Sequence, residues 1–137
     1  MKHLLLLLIL LSWDKMTAQY LGVGFKQLKT EVELNFPESK ITDGVNKDGV
    51  RYITWESSGF ETTTVLYFSH DTCDYVTIGP WNTASLNRLV KGFNEKCVIL
   101  SDNHWKSYQG GVIVDIRLDF LKDKRVYVVG IEEFEEK

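Results

Sequence analysis

The sequence predicts an α+β fold: a single antiparallel β-sheet of about five to six strands with two α-helices packed on one face, in the order α-βββ-α-βββ. Three observations predict it. Two stretches carry apolar residues at helical steps, Leu21, Phe25, Leu28 and Val32 in the first and Leu86, Leu89, Val90, Phe93 and Cys97 in the second. From Val50 onward the first stretch gives way to Thr, Tyr, Val, Ile and Phe, which suit a pleated, half-buried surface. The links between the apolar runs are short and rich in turn formers, which favours antiparallel neighbours.

The chain has 137 residues and opens on Met1-Lys2-His3, followed by an apolar run from Leu4 to Leu11. Eight helical residues rise only about 12 Å, too short to cross a hydrocarbon core. A basic tip, a short apolar run and a small-residue exit form the pattern of a secretory signal over 1–19, cleaved between Ala18 and Tyr20. A buried core helix is the competing reading, but Leu on every face suits no amphipathic packing. The expected product is an exported, periplasmic or secreted protein that does not span a membrane, with one α+β domain over 20–137. That body carries 14 basic and 18 acidic side chains, a net charge of −4. Such a balance makes nucleic acid a poor partner. With 44% hydrophobic and 26% charged residues over the whole chain, collagen-like and disordered classes are excluded as well.

Pro37 ends the first helical stripe, because the residue before a proline is biased out of the helical region. The run Thr42-Asp43-Gly44-Val45-Asn46-Lys47-Asp48-Gly49 reads as a turn. It has a calcium-loop flavour but places Gly44 where an Asp is required and Trp55 where the bidentate Glu belongs. Strands are expected at 50–56, 61–69 and 73–79. Asn82 or Thr83 caps the second helix, a short strand covers 98–100, and 101–110 reads as a polar and aromatic loop. Val112, Val114, Ile116, Leu118 and Phe120 alternate with Ile113, Asp115, Arg117 and Asp119, a strand with one wet face. A last strand over 125–131 leads into an acidic tail from Glu132. No internal repeat divides the body.

The ending Thr17-Ala18-Gln19, the start Tyr20-Leu21-Gly22, the strand texture Arg51-Tyr52-Ile53-Thr54-Trp55-Glu56 and the loop Asp102-Asn103-His104-Trp105 resemble those of short exported proteins of Bacteroidetes-type bacteria. That resemblance carries no catalytic motif and implies no activity. The helix-plus-antiparallel-sheet layout is also similar to that of small secreted inhibitors of the β-lactamase-inhibitor type, a likeness of architecture alone.

Cys73 and Cys97 are the only cysteines. In an oxidising compartment an isolated pair is most simply a disulfide. Joined across 24 positions, it would contribute roughly 3 kcal/mol in the chain-entropy model. The alternative is two buried thiols, since Cys97 also continues an apolar stripe. Together with His70 and His104 the cysteines have the composition of a zinc set, though not zinc-finger spacing. The same atoms could form a cysteine nucleophile with a histidine base, but Cys97 falls at the negative end of a helix dipole, which disfavours a thiolate. Asp115 and Asp119 share a strand face about 13 Å apart with Arg117 between them, which reads as a solvated charge ladder. That separation is too wide for glycoside hydrolysis.

The aromatics Trp55, Trp81, Trp105 and Tyr108 lie at strand ends or in loops and are candidates for a binding surface. Strand 61–69 is apolar on both faces, Val65 and Tyr67 on one and Leu66 and Phe68 on the other. Either both faces are covered or one is a partner surface. With no catalytic set and no cofactor motif, the expectation is a non-enzymatic exported binding protein for a protein partner, of inhibitor or immunity type. An envelope accessory protein that binds a small molecule, glycan or lipid is the alternative, and a small cysteine or zinc hydrolase comes third. A deep apolar pocket would favour the second reading, and a flat aromatic face the first.

Overall fold

The computed structural model describes residues 20–109 and 111–134. The signal sequence expected over 1–19 lies outside the described residues. Two helices, α1 (Phe25–Asn35) and α2 (Thr83–Lys96), each precede four strands. These are β1 (Ile41–Val45), β2 (Arg51–Ser57), β3 (Thr62–Ser69) and β4 (Thr72–Pro80) after α1. After α2 come β5 (Val98–Ser101), β6 (His104–Gln109), β7 (Val112–Leu121) and β8 (Val126–Glu133). All eight strands join one sheet in the order β1-β2-β3-β4-β8-β7-β6-β5, with every neighbouring pair antiparallel.

This corrects the expected five to six strands and the order α-βββ-α-βββ. The first missed strand is β1, hidden in the run of turn formers. Only 46–49 turn: the Asn46 side chain accepts from the Asp48 and Val50 amides at 2.9 Å each, and Gly49 takes a φ of +78° that a side chain would resist. The residues before it pair in full register with β2, Thr42 opposite Thr54 and Gly44 opposite Tyr52. The second is β6, which reads as a loop in the sequence because its one large buried anchor is Trp105. His104 and Lys106 lie on the sheet's far side and Tyr108 is exposed, which an antiparallel strand tolerates. The last strand also runs on to Glu133, so Glu132 and Glu133 belong to the sheet rather than to a tail.

The helix α1 starts four residues later than its stripe suggests. Residues 22–25 instead clip onto the start of β4: Gly22 N–H donates to the Cys73 carbonyl at 2.7 Å, Cys73 N–H to Val23 at 2.9 Å and Phe25 N–H to Asp71 at 3.1 Å. Phe25, Leu28 and Val32 then form its buried face. The helix α2 opens on a reciprocal cap in which Asn82 Oδ1 accepts from the Ser85 amide at 2.9 Å and Ser85 Oγ accepts from the Asn82 amide at 3.2 Å. It buries Ser85, Leu89 and Phe93.

Both helices bury their stripes in the same core as one face of the sheet. Along that face a buried row runs Ile53–Leu66–Val76–Ile131–Ile116–Trp105, one residue from each of β2, β3, β4, β8, β7 and β6. The strand order maps onto itself when β1 to β4 exchange with β5 to β8, so the molecule repeats a helix-plus-four-strand unit about a pseudo-two-fold between β4 and β8. The sequence shows no such repeat, because the two units share pattern and not residues.

Candidate functional site: the open face of the sheet

With both helices on one side, the opposite face of the sheet is covered by no described element. Alternation along each strand decides what it presents. One row reads Gly44–Tyr52–Tyr67–Tyr75–Glu132–Asp115–Lys106–Val98 from edge to edge. The next reads Thr42–Thr54–Val65–Thr77–Gly130–Arg117–His104. The strands before α2 therefore supply tyrosines and hydroxyls, and those after it supply charge.

The tyrosines lie along the sheet rather than standing off it. The Tyr75 hydroxyl sits over Gly130, where an added Cβ would collide with it, and the Tyr52 hydroxyl lies close over Gly44, 3.0 Å from the position a Cβ would take. Tyr67 and Tyr75 pack with ring centroids 5.9 Å apart. Glycine on the neighbouring strand thus makes room for Tyr52 and Tyr75, and all three rings are half-buried. Burial, with the negative charge of Glu132 and Asp119 and the adjacent Tyr67, raises the pKa of Tyr75, so its hydroxyl stays protonated and available as a donor.

The charged half centres on Asp115, which is only 4% exposed despite its place on the wet face. The charge ladder expected there is therefore not solvated at its key residue. The carboxylate can only accept, so His104 Nε2–H donates to its Oδ1 at 2.6 Å, while Arg117 Nε–H donates to Oδ2 at 2.9 Å. Burial pushes the Asp115 pKa up, but the two hydrogen bonds and the nearby positive charge outweigh it and leave the carboxyl below its ordinary range. A carboxylate so fully engaged is poorly suited to proton transfer near neutral pH. Lys106 lies over the Phe134 ring at 3.4 Å.

The cysteine and histidine candidates are not brought together. Cys73 and Cys97 are not joined by a disulfide. Cys73 is buried at the start of β4, where desolvation pushes its thiol up to about 12, the reverse of what a nucleophile needs. Cys97 caps the far end of α2, its N–H donating to Phe93. His70 and Asp71 form the two-residue β3–β4 turn, with φ of +52° and +67°, the left-handed pair such hairpins require. His104 belongs to Asp115. Among the described residues no group of three or more His, Cys, Asp or Glu side chains is placed to hold a metal ion.

Of the four aromatic candidates, two are core residues. Trp55 is 3% exposed between Tyr20 and Phe36, and Trp105 is wholly buried against Phe93 with its indole N–H donating to Asn94 at 2.8 Å. Trp81 and Tyr108 are exposed. Sequence reasoning misses Tyr52 and Tyr75, whereas the two-sided apolar pattern of strand 61–69 marks Val65 and Tyr67 as a second surface. Among the described residues no helix is long and apolar enough to cross a membrane. No family model matches the chain, and neither a curated protein nor a solved structure was found that matches it.

Proposed function

We propose that this protein is an exported, non-enzymatic binding protein that recognises a protein partner through the open face of its sheet, in the manner of an inhibitor or immunity protein. The observation that carries the reading is the row of three half-buried tyrosines on an uncovered face, Tyr52 and Tyr75 fixed over glycines and Tyr67 packed on Tyr75. Tyrosine offers large, rigid, amphipathic contact area at little entropy cost, and it is enriched where proteins meet. The dimensions fit as well. Eight strands span roughly 34 Å and a seven-residue strand roughly 24 Å, a face of about 800 Å², which is one partner's share of a standard interface. The charged half supplies the polar rim that sets orientation and steers association.

The test is affinity isolation from the producing cell's envelope and surroundings, followed by binding with the purified partner. Tyr67→Arg with Thr77→Arg alters the face without touching the core, and Lys91→Glu on α2 serves as the control. A stoichiometric protein that binds the unaltered chain and the α2 variant but not the face variant is the expected result. Equal binding by the face variant, or no stoichiometric protein at all, overturns the reading.

A further inference from the structure

At one corner of the open face, beyond the tyrosine row, lies a groove of about 690 Å³, within the roughly 300–1,000 Å³ typical of small-molecule sites. The end of α1 with the α1–β1 connection, 35–40, forms one wall and the end of β2 with its turn toward β3, 57–59, another. Trp81 lines it in the link between β4 and α2.

Trp81 is 46% exposed yet rigidly held. Its indole N–H donates to Thr63 Oγ1 at 2.9 Å and its backbone N–H to the Glu61 carbonyl at 2.9 Å. The next residue, Asn82, caps α2 and donates from its side chain to Glu61 Oε2 at 2.7 Å, and Arg88 pairs with the same carboxylate at 3.3 Å. The ring therefore cannot swing to cover itself, and its one polar atom is already used. What it offers a ligand is a flat apolar surface.

Besides Trp81, the groove takes apolar surface from Phe36, Pro37 and Trp55, and the rest of its lining is hydroxyls, the Asn35 amide and charged side chains. Thr54 spends its proton on the Thr64 carbonyl at 3.0 Å, which leaves its oxygen as an acceptor toward the groove. Glu56, exposed on β2, supplies two further acceptor oxygens. The ionic side chains of the lining are Glu38, Glu56 and Lys40, a balance that disfavours phosphate or other anions. A ligand that fits is apolar on one flat side, rich in hydroxyl donors around its edge, and free of negative charge. A pyranose ring has this chemistry: axial C–H groups cover an aromatic face while equatorial hydroxyls donate to carboxylate and threonine oxygens.

We propose that this groove binds a neutral pyranose oligosaccharide, with one ring stacked on Trp81 and its hydroxyls bonded to Glu56 and Thr54. The site is separate from the tyrosine row, so it stands or falls independently of the protein-binding reading. The chemistry is the same for a free oligosaccharide and for a glycan chain on a larger conjugate.

Calorimetric titration of the protein with cellohexaose, maltohexaose, xylohexaose, chitohexaose and mannohexaose tests it, with oligogalacturonate as the charged control. The same sugars coupled to a polymer separate the two sources. Saturable binding of at least one neutral hexaose is expected, with Trp81→Ala weakening it by about tenfold or more, Trp81→Phe largely retaining it and Lys91→Glu on α2 leaving it unchanged. Binding only to the coupled form assigns the groove to conjugated glycan. Absence of binding to every neutral member in both forms, or equal affinity for the Trp81→Ala variant with its fold verified by circular dichroism, overturns the proposal.

Discussion

Asp115 shows how one residue's surroundings override its position in the pattern. Alternation along β7 places it on the wet face, and Lys106 and Glu132 flank it on the neighbouring strands. Facing a like charge across a strand pair is unfavourable, so Glu132 opposite Asp115 needs an offset, which Arg117 and His104 provide. Removing that carboxylate while keeping its shape isolates the effect. We expect Asp115→Asn to destabilise the fold by about 1–3 kcal/mol at pH 7, read by urea unfolding. The folded-state pKa lies below the unfolded one, so the stability it contributes is complete above about pH 4 and is lost as pH falls through the lower folded value. The variant and the parent should therefore converge in strongly acidic urea titrations, and a constant gap at all pH values would show that the carboxylate acts through packing alone. Residue by residue, the sequence separates these cases poorly. Trp55 and Trp105 look like surface anchors, yet both are buried, Trp55 between Tyr20 and Phe36 and Trp105 against Phe93 of α2, because strand register and not neighbouring polarity sets which way a side chain points.

At the scale of elements, legibility follows the strength of the local signal. The helix α2 has a cap and an unbroken apolar stripe, and its start can be read directly from Asn82. Asn82→Ala removes the acceptor for the Ser85 amide and half of the reciprocal cap. It also removes the bond to Glu61, so a loss of about 1–2 kcal/mol is expected in thermal or urea unfolding, with Asn82→Asp recovering much of it. A change in the Ala variant of under a few tenths of a kcal/mol would show that the helix is held by packing alone. The strands β1 and β6 were illegible for a different reason. Each is an outer strand of the sheet, with β1 at one edge and β6 next to the other edge, and a sheet with one bare face asks little apolar content of such strands. β1 spends its sequence on Asp43, which pairs with Lys29 at 2.8 Å, and on Gly44, which admits Tyr52. Its identity as a strand comes from its partner's backbone rather than from its own side chains.

Over the whole molecule, the question is whether the two helix-plus-four-strand units behave as one. Their junction is short: β4 and β8 pair over four residues, Tyr75 to Ile78 against Glu132 to Val129. The core nonetheless passes straight through it, since Val76 meets Ile131 and Ile78 meets Val129 with all four buried, and the same row continues to Leu66 and Ile53 on one side and to Ile116 and Trp105 on the other. Neither unit can keep that seam dry alone, because each would expose its central strand both as an unpaired edge and as an apolar surface. Cooperative unfolding of both units follows. Ile131→Ala, a substitution in the second unit alone, should cost about 2–5 kcal/mol and should lower the stability of both units by the same amount. Native-state hydrogen exchange reads this strand by strand. The slowest amides of β2 and β3 should lose as much protection as those of β6 and β7, whereas protection lost only in β6 and β7 would mean that the first unit stands on its own. The outcome also bears on the open face: the tyrosine half comes from the first unit and the charged half from the second, so a binding surface that uses both depends on the seam holding them in one register.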